Sequence, residues 1–309
     1  MNTFGHKQLL ALLLIAALSL LLISGVWGTA LYKLDALSSS EQTTPLSAGS
    51  LPTTTDSTVT ESTSATASTE TTTGGRPTVR PGDKVIALTF DDGPSATYTP
   101  AILDILEKYG ARATFFMNGY QLGTGKASLL RRMVSMGCEI GNHTADHKYL
   151  TELSREEIYD QLFRVNELVY SLCGYRITLM RPPGGHTDLS VMEDMYNSGL
   201  RLKTILWNND SLDWSFYSDY QKGLITREEA VQKTYDMICS YPMDGSIVLM
   251  HDIKGITPDV LELLLQKLSA EGYTFVTISE LFDFESLGET AYFSKFYSQY
   301  LITPMKSHM

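Results

Sequence analysis

The sequence predicts an α/β fold built on a parallel sheet. Three observations predict it: short apolar runs recur along the chain, amphipathic stretches separate them, and those stretches carry helix start and stop signals. The runs expected as strands are residues 85–90, 113–117, 139–142, 177–180, 203–207, 247–250 and 275–278. Among the stretches between them, Ser154-Arg155-Glu156-Glu157 and Thr226-Arg227-Glu228-Glu229 match the capping box, in which a hydroxyl and a Glu three residues on satisfy orphan amides reciprocally. Thr99-Pro100 sets a proline at the first helical position. Gly110, Gly137, Gly174, Gly199 and Gly272 stand where helices should end. Seven strand-then-helix units in series imply crossover connections and a parallel sheet, either closed as a barrel or doubly wound. In both cases ligands bind at the carboxyl ends of the strands.

That fold accounts for only part of the 309 residues, because composition changes sharply along the chain. After a short N-terminus (residues 1–8), residues 9–31 carry no charge and would span roughly 34 Å as a helix, enough for a bilayer core of about 30 Å. A retained transmembrane anchor is expected, with cleavage as a signal peptide at the small-residue pattern Gly28-Thr29-Ala30 as the alternative. Residues 32–79 follow as a Ser/Thr-rich tether with too little apolar surface to offset its ordering entropy. Such a stalk belongs outside the cytoplasm, so a single-pass membrane protein with an extracytoplasmic domain is expected. Residues 80–283 have globular composition and form the domain; residues 284–309, rich in Tyr and Phe, receive no function.

A net charge of −11 argues against nucleic acid as a partner, since binding a polyanion rests on phosphate neutralisation by Lys and Arg. The partners expected are a substrate held by shape and specific contacts and, through residues 9–31, a membrane; no protein partner is inferred. Cys138, Cys173 and Cys239 are odd in number and include no CxxC pair, which argues against a cysteine zinc cluster and favours buried unpaired thiols over a disulfide.

The polar residues at the predicted strand ends follow in order. After the first strand comes Asp91-Asp92-Gly93-Pro94. Asp-Gly-Pro alone is a turn signal, but consecutive acids leave a strand in opposite directions and are free to take different jobs. After the third comes His143-Thr144-Ala145-Asp146-His147. On a helical turn this spacing sets both imidazoles on one side, and one of the two strand-end acids would complete a two-His, one-carboxylate metal site. Arg181-Pro182-Pro183-Gly184-Gly185 follows the fourth strand, and Arg is the natural partner of a carboxylate that must stay ionised. Asp210-Ser211-Leu212-Asp213-Trp214 follows the fifth and Leu249-Met250-His251-Asp252 ends the sixth; a strand-end His with a carboxylate on the same rim suits a general acid. Each signal has a bland reading by itself: a turn, a loop His pair, a surface Arg, a core His. Five on one predicted rim are a pattern.

This order of motifs resembles the NodB-homology polysaccharide deacetylases, carbohydrate esterase family 4, over about residues 85–281, and among them the membrane-anchored peptidoglycan N-acetylglucosamine deacetylases. The resemblance implies an irregular (β/α)7–8 barrel with its catalytic residues at the carboxyl ends of the strands. It implies one divalent metal, zinc foremost with cobalt, nickel or manganese as alternatives, on Asp92, His143 and His147. Asp91 becomes the general base held by Arg181, and His251 the general acid tuned by Asp213. Gly184, Trp214 and Leu249 line the substrate pocket. Gly184 departs from the family, which usually carries an aromatic there, so a wall of the groove is expected to be missing. The implied reaction is hydrolysis of N-acetyl groups from a cell-wall polysaccharide. Chitooligosaccharide deacetylation or acetylxylan de-esterification is the alternative within the class, and a catalytically silent carbohydrate-binding domain the alternative outside it.

Overall fold

The computed structural model describes residues 82–282. The N-terminus (1–8), the predicted anchor (9–31), the tether (32–79) and the extension (284–309) lie outside the described residues. Among the described residues no helix is long and apolar enough to cross a membrane.

Among the described residues eight strands form one sheet: β1 Val85–Asp91, β2 Thr114–Met117, β3 Glu139–Asn142, β4 Leu179–Met180, β5 Lys203–Thr204, β6 Asn209–Asp210, β7 Ser246–His251 and β8 Thr274–Val276. Every pairing is parallel, in the order β5-β4-β3-β2-β1-β7-β6. β8 lies beside the first half of β1, from Val85 to Ala87, and β2 beside the second half, from Thr89 to Asp91. The end strands β5 and β6 do not pair with each other among the described residues, so the barrel is irregular and incompletely closed.

The helices are α1 Tyr98–Lys108, α2 Ala127–Ser135, α3 Arg155–Cys173, α4 Leu189–Asn197, α5 Asp213–Gln221, α6 Arg227–Cys239, α7 Thr257–Ala270 and α8 Ile278–Phe282. Both predicted capping boxes form: the side chains of Ser154 and Thr226 accept the N–H of Glu157 and Glu229, whose carboxylates take the cap N–H in return. All five glycines expected at helix ends have positive φ.

Strand alternation divides the core and decides which side chains reach the inner face. Ile86, Leu88 and Phe90 of β1 face outward and pack with Phe115, Val248, Met250 and the inner faces of α1 and α7. Ala87 faces inward with Phe116, Leu179, Ile205, Ile247 and Ile278, a smaller cluster that fills the barrel floor. The same period carries Thr89 and Asp91 of β1 and Leu249 and His251 of β7 onto that inward face, above the floor.

Several elements differ from expectation. The fifth run is a strand over Lys203–Thr204 alone, because Arg181 takes the carbonyls of Ile205 and Leu206 that a ladder would otherwise use. β6 is two polar residues and had no apolar run to announce it. The last strand stops at Val276, since Thr277 N–H turns to the Glu280 carboxylate and Ile278 begins α8. Pro100 is the third residue of α1, not the first; Thr99 accepts the N–H of Ser95 and donates to Asp252. The cysteines are unpaired, but only Cys138 is buried, the other two being half-buried.

Candidate active site

Parallel register brings the rim together. Asp91, the last residue of β1, is paired with His251, the last of β7, and with Phe116 on β2. Asn142 at the end of β3 is level with Met180 at the end of β4, so the residues that follow, His143 and Arg181, leave the sheet side by side. Residues from five sequence segments thus meet at the carboxyl ends of adjacent strands.

Asp92, His143 and His147 place one ligand atom each within 4.8 Å of one another. His147 Nε2 is 3.3 Å and His143 Nε2 3.6 Å from Asp92 Oδ1. The Nδ1–H of His143 donates to the Arg181 carbonyl at 2.8 Å, which leaves Nε2 as the free lone pair aimed at the cluster. Burial, outweighing the pull of Asp91 and Asp92, pushes the His143 pKa down, so the ring is neutral as a ligand must be. Two imidazoles and one carboxylate, with His147 partly open to solvent, fit a divalent ion with a free coordination position.

The His pair does not sit on the helical turn expected of its spacing. Thr144 and His147 have φ of 68° and 55°, and the two rings meet edge-on with centroids 5.2 Å apart. The backbone is diverted from helix because Thr144 N–H bonds the Asn142 side chain and Asp146 N–H bonds Gln161. Asp92 (φ 73°) and Leu212 (φ 52°) are likewise left-handed, so four of the five non-glycine residues with positive φ among those described are at this rim. Such conformations cost of order 1–3 kcal/mol each and persist where the surroundings impose them.

Arg181 is fully buried and carries the neighbouring carboxylate. Its Nη1 donates to Asp91 Oδ1 and to Thr89 Oγ1, both at 2.8 Å, while its other nitrogens take the Ile205 and Leu206 carbonyls. The guanidinium carbon lies 4.3 Å from the centre of the Phe116 ring. Asp91 therefore has one oxygen committed to Arg181 and the other, Oδ2, turned to the cluster, 3.7 Å from His143 Nε2.

Across β1, the Nδ1 of His251 meets Asp213 Oδ1 at 2.7 Å. Asp213, fully buried, also accepts the His251 N–H and the Thr257 hydroxyl on Oδ2. Burial alone would push His251 down, but the Asp213 charge and hydrogen bond overcome it, and its pKa is pushed up to about 9. Burial opposes the charge on Asp213 as well, yet His251 and the three hydrogen bonds hold that carboxyl below its ordinary range. The pair is an imidazolium–carboxylate couple whose Nε2 remains for other work.

Of the three expected pocket residues, Leu249 lies on the inward face two residues before His251 and is 4% exposed. Trp214 begins the exposed side of α5 and is 49% exposed. Gly184, at φ 61° in the turn Pro183–Gly185, does not leave the expected gap: a Cβ there would lie 2.9 Å from His186 Cδ2 and 3.2 Å from Tyr149 Cε1. The space beside it is already filled by those two rings.

The sequence reading also passed over several supporting side chains. Thr89 had a signal, being two residues before Asp91 on a strand and hence on the same face. Asn118, which donates to Asp92 Oδ1 at 2.9 Å, directly follows the second predicted strand and so had the same strand-end signal, whereas Thr257 opens α7 and had none. Asp252 is wholly buried beneath Gly93, where any Cβ would collide with its carboxylate, so only glycine lets the Asp92 loop close over it.

Comparison with known proteins agrees with this geometry. The family model described as polysaccharide deacetylase matches residues 78–202. The chain is 38% identical over 200 residues to the peptidoglycan-N-acetylglucosamine deacetylase PgdA of Listeria monocytogenes, covering 65% of this chain and 39% of that protein. The chain thus spans less than half the length of that relative. It is 33% identical over 202 residues to the peptidoglycan-N-acetylglucosamine deacetylase of Bacillus cereus, covering 64% of this chain and 88% of the relative. Among solved structures, that of peptidoglycan deacetylase PdaC from Bacillus subtilis superimposes with a TM-score of 0.58 at 34% identity, over 67% of this chain and 94% of that one.

Proposed function

This chain belongs to the polysaccharide deacetylase family, and on that premise we propose that it hydrolyses N-acetyl groups on a cell-wall glycan, foremost the N-acetylglucosamine units of peptidoglycan, releasing acetate. The observation that carries the reading is the placement of a carboxylate, Asp91, and an imidazolium, His251, in register on adjacent strands beside the Asp92–His143–His147 cluster. A base and an acid flanking one metal site are what amide hydrolysis needs, because water must lose a proton and the departing nitrogen must gain one.

A divalent ion on the three ligands, zinc foremost with cobalt, nickel or manganese as alternatives, would supply Lewis acidity toward the amide oxygen and toward water. Asp91 Oδ2 takes the proton of the attacking water, and Arg181 fixes that carboxylate through its Oδ1. The Gly184 N–H, left-handed at the rim, donates to the developing oxyanion, a contribution worth roughly 3–4 kcal/mol per donor. His251 Nε2–H then protonates the leaving nitrogen as the carbon–nitrogen bond breaks, giving acetate and a free amino sugar. Trp214 and Leu249 wall the acetyl group. The apolar run at residues 9–31 and the Ser/Thr tether support a catalytic domain held outside the cytoplasm by a single membrane span.

Acetate release by the full chain from N-acetylglucosamine polymers is expected to exceed that from O-acetylated xylan; strong release from xylan alone would transfer the enzyme to the esterase reading. The pH profile tests the acid. His251 works protonated and its pKa is raised to about 9, so activity is present below that value and lost as pH rises through it. Asp213→Asn removes the charge that does most to raise the pKa against burial, so the alkaline limb should move to lower pH. An alkaline limb that stays in place in Asp213→Asn would assign the proton donor elsewhere.

A further inference from the structure

Beside the candidate metal site lies a cleft of about 450 Å³ lined by His147, Lys148, Tyr149, Glu152 and Leu153. His147 belongs to both, so whatever occupies the cleft is continuous with a substrate at the cluster. Tyr149 of that lining belongs to a stacked pair. Tyr149 stacks on His186 with ring centroids 4.2 Å apart and planes 18° from parallel. The two rings come from different segments, one after the His143–His147 loop and one after the Pro183–Gly185 turn, and both are exposed rather than core. Tyr149 is nevertheless held in place, since the next residue, Leu150, is fully buried and begins a short helical turn. Gly184, the proposed oxyanion donor, lies against the pair, and its missing side chain leaves room for the two rings.

A pinned, exposed aromatic ring bordered by Lys148 and Glu152 is suited to a ligand with an apolar face and a polar rim. A pyranose ring is such a ligand: its axial C–H bonds lie on the aromatic face while its equatorial hydroxyls meet charged side chains at the edge. We propose that Tyr149, backed by His186, is a platform for the sugar ring next to the one being deacetylated, so that this pair sets the preference for longer glycans. The proposal rests on the deacetylase reading above for the identity of the glycan, and on the cleft alone for the existence of the platform.

The test uses the full chain with Tyr149→Ala, Tyr149→Phe and His186→Ala, after thermal melts confirm that each is folded. Acetate release and calorimetric binding are measured with N-acetylglucosamine and its hexasaccharide. Tyr149→Ala should raise KM for the hexasaccharide about tenfold, the upper range of one aromatic contact, and leave kcat within about twofold. N-acetylglucosamine, which has no neighbouring ring, should be unaffected. Tyr149→Phe keeps the stacking face and should behave as wild type; His186→Ala should show a smaller rise in KM. An unchanged KM in Tyr149→Ala, or a loss confined to kcat, overturns the platform. If no acetate is released but hexasaccharide binding still depends on Tyr149, the platform stands and the deacetylase reading falls. If the hexasaccharide does not bind at all, both fall.

Discussion

Asp91→Asn is expected to keep its fold and bound metal while losing acetate release by roughly 10²- to 10⁴-fold, the usual contribution of a positioned proton acceptor. The amide still accepts a hydrogen bond from Arg181 on the oxygen that Oδ1 now provides, so the geometry around the guanidinium has reason to persist. What disappears is the charge on Oδ2, the oxygen turned toward the metal cluster. Added metal should not restore the rate. Asp92→Asn should fail in the opposite way. Asp92 Oδ1 is the carboxylate oxygen that faces both imidazole Nε2 atoms, at 3.6 and 3.3 Å, and exchanging it for a neutral oxygen weakens metal affinity rather than proton transfer. Bound metal should fall and excess metal should recover part of the activity. Elemental analysis alongside acetate release separates the two. Should Asp91→Asn purify without metal, or turn over near the wild-type rate, the assigned roles are wrong even though the family stands.

The second large effect is on stability. Arg181→Met is expected to cost roughly 3–5 kcal/mol, because it strands the buried Asp91 carboxylate without its cation. It also leaves the Ile205 and Leu206 carbonyls and the Thr89 hydroxyl short of a donor in a buried setting. For a domain of this size the loss corresponds to a fall in Tm of roughly 6–20 °C. Activity should fall too, since the base loses its support. Arg181→Lys restores the charge but has no planar fork to serve a carboxylate, a hydroxyl and two carbonyls together, so it should recover only part of the stability. The double variant Asp91→Asn/Arg181→Met removes the stranded charge and should be more stable than Arg181→Met alone, a non-additivity read from thermal melts. A single Arg181→Met that melts with the wild type would mean this buried pair does not hold the rim.

The physical division between what the chain announces and what only folding decides follows the range of the interactions involved. Local interactions were legible. The capping boxes at Ser154 and Thr226 are closed within four residues, and the helix-ending glycines need only their own φ, so sequence alone placed them. The convergence of the candidate site residues was legible too, for a less direct reason. A parallel sheet delivers the ends of its strands to one rim, so polar residues that terminate successive apolar runs must converge whatever the loops do. Asp91, Asp92, His143, His147, Arg181, Asp213 and His251 meet there on that account. Contacts that cross the chain at long range left no trace in the pattern. β6 had no apolar run, and the fifth strand is cut short by a guanidinium that arrives from β4. The His143–His147 spacing suggested a helical turn, but Gln161 on α3 and the Asn142 side chain claimed the amides a helix needs. The absent side chain at Gly184 suggested an open wall, and only the tertiary structure shows Tyr149 and His186 in that space. Sequence by itself determined which polar groups stand together at the strand ends, because topology alone carries them there; the shape of the surface around them came from side chains that meet only once the chain is folded.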